Sequence, residues 1–254
     1  MIIILSPAKT LDFEKKYNCS DYTFPSFLNE SEYLISELKN KSETALSKLM
    51  GISSKLSALN SSRYKSWSVD FNKSNSRQSI FCFKGGVYVG LDVDSFSKKN
   101  LLYSQNYLKI ISGLHGVLNP FDLIQPYRLE MGTKLKTKQG SNLYEFWGSK
   151  ITNYLNKNLE STNSQFLLNL ASNEYASSVN FKRINASILN IKFLDKKNEK
   201  YKLISFFAKK ARGAMASFVI KNEIKNINQL KEFTGLGYSF DSSQSTNDLL
   251  TFIR

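Results

Sequence analysis

Hydrophobic residues in this chain fall into short apolar runs and longer stretches with helical spacing. Ile2–Leu5 is a continuous apolar run closed by Pro7, which predicts a buried first strand. Leu28, Leu34, Ile35 and Leu38, then Leu46, Leu49 and Met50, predict two amphipathic helices within 27–59, with a break near Asn40. The Ser- and Asn-rich segment 60–79 around Trp67 reads as loop. SIFCF (79–83) and VYVGL (87–91) flank Lys84-Gly85-Gly86, the pattern of two strands joined by a tight turn. A helix is expected from Asp94 or Ser95 to Ile111, and another over 143–159. FLLNLAS (166–172) predicts a buried strand, and ILNIKFL and YKLISFF around DKKNEK predict a hairpin. Residues 208–224 predict a helix and LLTFIR a closing strand. No repeat or long linker appears, so the expected class is α+β (mixed α/β). One compact domain over 1–254 would hold a mixed sheet with surrounding helices.

The stretch SGLHGVLNPFDLIQPYRLEMG (112–132) concentrates unusual residues. A helix through Tyr107, Leu108, Ile110 and Ile111 is expected to stop at Ser112-Gly113. Gly116 permits a second sharp turn, and Asn119 with Pro120 reads as the cap and first position of a short helix, PFDLI. Helix, glycine hairpin and helix together would let the amides of Gly113 and Gly116 approach a phosphate. The same glycines also suit a plain packing corner. Beyond Pro126, Arg128 and Glu130 are two apart, so an extended backbone turns both to one face. They form either a phosphate-ready pair or a structural salt bridge. Lys134, Lys136 and Lys138 continue the alternation as a basic edge or a solvated face.

Other segments offer chemistry at expected strand ends. SPAKT (6–10) follows the first strand, which places Lys9 and Thr10 where ligands gather in α/β sheets. It lacks the glycines of a phosphate-binding loop, so a nucleoside triphosphatase is not indicated. Lys84 follows SIFCF. Asn173, Glu174 and Tyr175 follow FLLNLAS, and an amide, a carboxylate and a phenol there could do acid–base work or meet a base edge. They could also form a self-satisfied turn. On FFAKKARGAMASFVI, Phe207, Ala211, Ala214, Met215, Phe218 and Val219 share the core arc. Lys209, Lys210 and Arg212 share the other, with Gly213 and Ala216 between the arcs leaving room for a phosphate backbone.

Composition adds one strong feature. Lys and Arg number 35 against 21 Asp and Glu, a net charge of +14 that suits a polyanionic partner. Coding bias in a Lys-, Asn- and Ser-rich chain produces the same excess. With 41% hydrophobic and 22% charged residues the chain is an ordinary globular one. It has no membrane-length apolar run and no basic segment before the N-terminal apolar one, so a cytoplasmic, membrane-free setting is expected. Cys19 and Cys82 are expected to be reduced thiols. His115 is the single histidine, so neither a multi-histidine zinc site nor a GxSxG-type triad is expected. Iron sequestration by the chain itself would need converging carboxylates, which are scarce. LKEFTGLGYSF (230–240) has helix-hairpin-helix spacing, but an aromatic, Ser-rich segment follows it.

SPAKTLDFE, FKGGVYVGL, SGLHGVLNPFDLIQPYRLEMG, LYEFWG, NLASNEY and FFAKKARGAMASFVI, in this order, resemble the bacterial YaaA peroxide-stress family over nearly the whole chain. The resemblance implies a single mixed α/β domain with a positive cleft and a helix-hairpin-helix element. It also implies binding of duplex or branched DNA and a role in limiting free iron and oxidative DNA damage. Lys9, Lys84, Gly113, Gly116, Arg128, Glu130, Lys209, Lys210, Arg212 and Gly213 match the family pattern. The family commonly has Tyr where this chain has His115, which argues against a catalytic histidine. It often has Arg where this chain has Asn119, which removes one cation. The expected function is therefore sequence-independent DNA binding by a monomer without cofactor, metal or catalytic residue. The alternative is an enzyme acting on a nucleobase or nucleotide, with Lys9, Glu130, Glu174 and Tyr175 in a pocket.

Overall fold

The run Ile2–Leu5 is the centre of the molecule. In the computed structural model, which describes residues 1–15 and 17–254, all four of its side chains are buried. This first strand, β1 (Ile2–Leu5), leads into β2 (Thr10–Leu11), and three helices follow: α1 (Leu28–Lys39), α2 (Glu43–Met50) and α3 (Ser54–Ser66). Next come β3 (Arg77–Gln78), α4 (Ser79–Cys82), β4 (Phe83–Lys84), α5 (Gly86–Leu91) and α6 (Lys98–Tyr107). The middle of the chain holds β5 (Leu108–Ser112), β6 (Gly116–Leu118), β7 (Leu123–Ile124), α7 (Leu143–Trp147) and α8 (Lys150–Ser161). Then follow β8 (Phe166–Asn169), α9 (Asn173–Ala176), β9 (Ser187–Lys197), β10 (Lys200–Lys202) and α10 (Ser205–Asn222). The chain closes with α11 (Ile227–Lys231), β11 (Ser239–Asp241) and β12 (Leu249–Ile253).

The fold is a mixed α/β domain on an eight-stranded sheet of order β11-β12-β9-β8-β1-β5-β6, with β10 pairing β9. β5, β1, β8, β9 and β12 run parallel, in registers such as Ile3 opposite both Leu108 and Leu168. Their carboxyl ends therefore share one edge of the sheet. From β1 the chain pairs first on one side, with β5, and later on the other, with β8. The crevice beyond β1 and β8 is thus the switch point at which parallel sheets bind ligands.

Several expected elements change type, each for a physical reason. Residues 108–112 form a strand, not a helix: β-branched Ile110 and Ile111 pair with β1 and β6 and are fully buried. Lys109 is buried with them, its Nζ bonded to Asn119 Oδ1 at 2.7 Å, and burial lowers its pKa to about 8. Gly116 adopts a left-handed φ of 66° and turns β5 back into β6. PFDLI forms a turn and β7, which pairs with β3. Residues 112–124 are therefore a β-hairpin followed by a short strand, and the helix-hairpin-helix is absent there.

The first four residues of SIFCF form one helical turn and Phe83 opens β4, and VYVGL is helical and packs against α10. Helix α3 extends into the expected loop. Its buried face is Ser57, Asn60, Ser61 and Tyr64, polar residues that no hydrophobic stripe announces, and Asn60 Nδ2 bonds Leu56 O at 2.7 Å. The break near Asn40 is present, and Ser42 and Ser53 cap the helices that follow. Gly148, at φ 47°, splits 143–159 into α7 and α8. The hairpin at β9–β10 forms, but its strands run into the expected turn, to Lys197 and from Lys200, and of YKLISFF only Tyr201 and Lys202 are strand before α10 starts at Ser205.

Helix α10 corrects two further expectations. Ala211, Met215 and Val219 face the core, but Phe207 lies outside it, 38% exposed. Gly213 and Ala216 are buried, and the large surface that Gly213 admits is α5. A Cβ on Gly213 would sit 1.8 Å from Val87 O, and one on Gly90 would sit 1.9 Å from Lys210 O. The two helices cross almost backbone to backbone.

Candidate functional site

The sheet's carboxyl-end crevice collects residues from four segments. β1 delivers Ser6-Pro7-Ala8-Lys9, and β8 delivers Leu170 to Tyr175. Leu170 N donates to Ile4 O at 3.0 Å and Ser172 N to Ser6 Oγ at 2.8 Å, so the two segments are stitched together. β2 pairs with β4, with Thr10 opposite Lys84, which brings the KGG turn beside Lys9. The glycine crossing of α5 and α10 brings up Lys209, Lys210 and Arg212; a Cβ on Gly86 would lie 3.3 Å from Lys209 Cβ.

Lys9, Lys84, Lys209, Arg212, Glu174 and Tyr175 line one cavity of about 300 Å³. A neighbouring hollow of about 500 Å³ shares Thr10, Lys84, Gly85 and Gly86 with it and adds Lys210 and Arg254. The two make one continuous cleft with cations along its length. Lys209, Lys210 and Arg212 have no salt bridge among the described residues. Burial lowers the pKa of the Arg212 guanidinium from its ordinary value. An arginine nevertheless keeps its proton at neutral pH, so the cleft holds a charge that lacks a protein counter-ion.

The acidic groups are engaged. Glu130 accepts from Arg128 Nε at 3.0 Å and Nη2 at 2.8 Å, and its other oxygen lies 2.6 Å from Lys9 Nζ. The Arg-x-Glu pair is thus an ion pair on one face that also orients Lys9. Glu174 Oε1 accepts from Gly132 N at 3.0 Å. Burial, with Glu174 and then Glu130 nearby, holds the Tyr175 phenol well above its ordinary pKa. Asp12 is held below the ordinary carboxylate range by the backbone amides of Lys15 and Glu14, and by Lys84 at 3.3 Å.

Some expected site residues lie elsewhere. Gly113 and Gly116 are buried in the β5–β6 hairpin. A Cβ on Gly113 would meet Leu129 O at 2.4 Å, and one on Gly116 would meet the Trp147 ring at 2.7 Å. Their amides cannot reach a phosphate. His115 is fully buried, with Nδ1 2.9 Å from Ser31 Oγ, and burial lowers its pKa to about 3. Lys134 and Asn173 are exposed, and neither lines the cleft. Sequence reasoning missed Arg254, Phe206 and Phe207, which line the hollow. The strand-end rule that selects Lys9 also selects Arg254, which directly follows β12. Helical periodicity hid the phenylalanines by counting Phe207 as core.

Comparison with known proteins gives a consistent answer. The family model described as peroxide stress protein YaaA matches residues 1–244. A UPF0246 protein from Aliivibrio fischeri strain ATCC 700601 / ES114 is 50% identical over 254 residues, all of this chain and 98% of the relative. A second UPF0246 protein, from A. fischeri strain MJ11, shows the same identity and the same coverage. No helix among the described residues is long and apolar enough to cross a membrane.

Proposed function

The chain belongs to the peroxide stress protein YaaA family, and from that premise we propose that its basic cleft holds the sugar–phosphate backbone of DNA without reading sequence. The observation that supports this most directly is the row Lys209, Lys210 and Arg212. These three cations have no salt-bridge partner among the described residues, and they stand beside Lys84 and Lys9 at the sheet's switch point. A polyanion supplies the missing counter-charge along the whole cleft, whereas a single small anion would answer only one end. Phosphate contacts position a nucleic acid without specifying bases. In a peroxide-stress protein, such binding would shield DNA and limit oxidative damage, and control of free iron would act upstream of the same lesion.

Titration of a fluorescent duplex across a salt series tests the proposal. The logarithm of affinity should fall linearly with the logarithm of salt concentration, with a slope of about −0.9 per phosphate neutralised. The variant Lys209→Gln/Lys210→Gln should flatten that slope by about two contacts. A salt-independent affinity sinks the proposal.

The cavity of about 300 Å³ supports a second reading, an enzyme acting on a nucleobase or nucleotide. Glu174 and Tyr175 stand at its wall, but the carboxylate is tied to Gly132 N and the phenol is kept protonated by burial. The phenol is thus no free proton acceptor, and no second titratable side chain is hydrogen-bonded to the remaining Glu174 oxygen among the described residues, which favours binding. Loss of a nucleotide-directed turnover in Glu174→Gln, with fold and DNA affinity intact, would reverse that preference.

A further inference from the structure

The outer end of the cleft carries aromatic side chains that the core does not use. Phe206 is 70% exposed and Phe207 38%, although both open the helix whose Ala208, Ala211 and Met215 are buried. With Val89 and Leu236, also exposed, they line the hollow of about 500 Å³ between Lys84, Lys210 and Arg254. Phe207 is already engaged: the Arg254 guanidinium lies 4.6 Å from its ring centroid. Phe206 meets Phe207 in a T-shaped pair, with centroids 5.6 Å apart, and its own ring stays largely exposed along the hollow.

We propose that Phe206 is a stacking platform for unpaired nucleobases, held in place by Phe207 and Arg254, and that the outer cleft takes single-stranded DNA. This rests on the backbone-binding role of the cleft proposed above. The chemistry of the hollow selects the occupant. Cations that line the same hollow as an open aromatic ring match a chain that alternates phosphate with flat π-faces, and stacking of this kind tolerates any base. In a paired duplex the π-faces are buried in the stack and cannot reach the ring. A protein segment would answer the apolar surface but would need acidic residues to meet Lys84 and Lys210. An anionic lipid surface would answer both and is separated by experiment.

The test measures the affinity of the full chain for three DNAs of equal length: a single strand, a duplex with an unpaired bubble and a fully paired duplex. Phe206→Ala should weaken the single strand and the bubble about tenfold and leave the paired duplex within about twofold. Phe206→Trp, which keeps a flat ring, should retain single-strand affinity. At 70% exposure the side chain can be removed without disturbing the core, and an unchanged melting temperature checks this. Equal losses on all three DNAs, or no loss on any, overturns the platform. So does Phe206-dependent binding to phosphatidylserine vesicles with single-strand affinity unchanged. The variant Lys209→Gln/Lys210→Gln distinguishes the two proposals: if it weakens none of the three DNAs, backbone binding in the cleft fails, whatever Phe206 does.

Discussion

Two regions of this chain combine glycine with polar side chains, and they end in opposite environments. In SGLHG (112–116) the glycines make room for protein, namely the Trp147 ring and the Leu129 carbonyl. His115 is sealed inside with them. In AKKARGA (208–214) Gly213 also makes room for protein, the backbone of α5, but Lys209 stays exposed, and half-buried Lys210 and Arg212 line the open cleft. Glycine therefore marks close approach in both and says nothing about what approaches. Position on the sheet decides the rest. The hairpin continues β5 to the sheet edge and is covered by α7, whereas the α5–α10 crossing overlooks the open carboxyl ends of β1 and β8.

The largest expected effect tests this contrast directly. Gly213→Ala sets a Cβ 1.8 Å from a backbone oxygen that no rotamer can move. It should destabilise the protein by about 3 kcal/mol or more, measured by denaturant titration. Gly116→Ala combines a left-handed φ with contact on Trp147, a side chain with some freedom. A loss of about 2 kcal/mol is expected. Well below their melting temperatures the two should separate. Gly213→Ala should displace the cationic helix and weaken the proposed DNA binding, whereas Gly116→Ala should leave it unchanged. If Gly116→Ala weakens binding as much, the hairpin is coupled to the cleft and the contrast collapses.

The same contrast explains what the sequence could reveal. β1, β8, β9 and β12 were legible because their apolar runs are short and bounded. β5 was not, because Tyr107, Leu108, Ile110 and Ile111 fit either period until β1 is known to need a partner on that side. Helix α3 escaped because it buries Ser57, Asn60 and Ser61 rather than a hydrophobic stripe. At the site, Lys9 and Lys84 were legible from their places after apolar runs, although the run before Lys84 proved to be mostly helix. The link between Arg128, Glu130 and Lys9 was half legible. Spacing put the first two on one face, but only the fold brings Lys9 within 2.6 Å. The openness of Phe206 was invisible, since amphipathic spacing cannot tell where a helix overruns its core.

Acid should act on the hairpin at intermediate strength. His115 has a folded pKa of about 3 against 6.5 in the unfolded chain, because burial excludes the charged ring. The unfolded state therefore binds more protons below pH 6.5, and stability falls as pH drops. The expected loss is about 2 kcal/mol at pH 5 relative to pH 7.5. Asp122 works in the opposite sense, since burial raises its pKa to about 6 and favours its protonated form as pH falls from there towards 3.8. The clean measurement is the difference between wild type and His115→Gln across this range. Stability should become less acid-sensitive in the variant by about the amount stated. Identical pH profiles would mean that the ring titrates normally and that the hairpin is not sealed.

The smallest effect compares two exposed lysines, one inside the cleft and one on the basic edge beyond it. Lys84 is 66% exposed, and its partner Asp12 keeps two backbone donors, Glu14 N at 2.9 Å and Lys15 N at 3.2 Å, after the lysine is lost. Lys84→Gln should therefore fold normally. It should remove one phosphate contact, which lowers the salt slope for duplex DNA by about 0.9 and affinity by severalfold. Lys134 carries the same charge on an extended segment where buried Thr133 and Leu135 alternate with exposed lysines, but it lines no part of the cleft. At physiological salt the Debye length is about 8 Å, so a lysine off the phosphate path adds little. Lys134→Gln should leave slope and affinity unchanged within error. Equal effects from the two substitutions would show that DNA wraps past the switch point onto the 134–138 edge, and that net charge rather than the cleft directs binding.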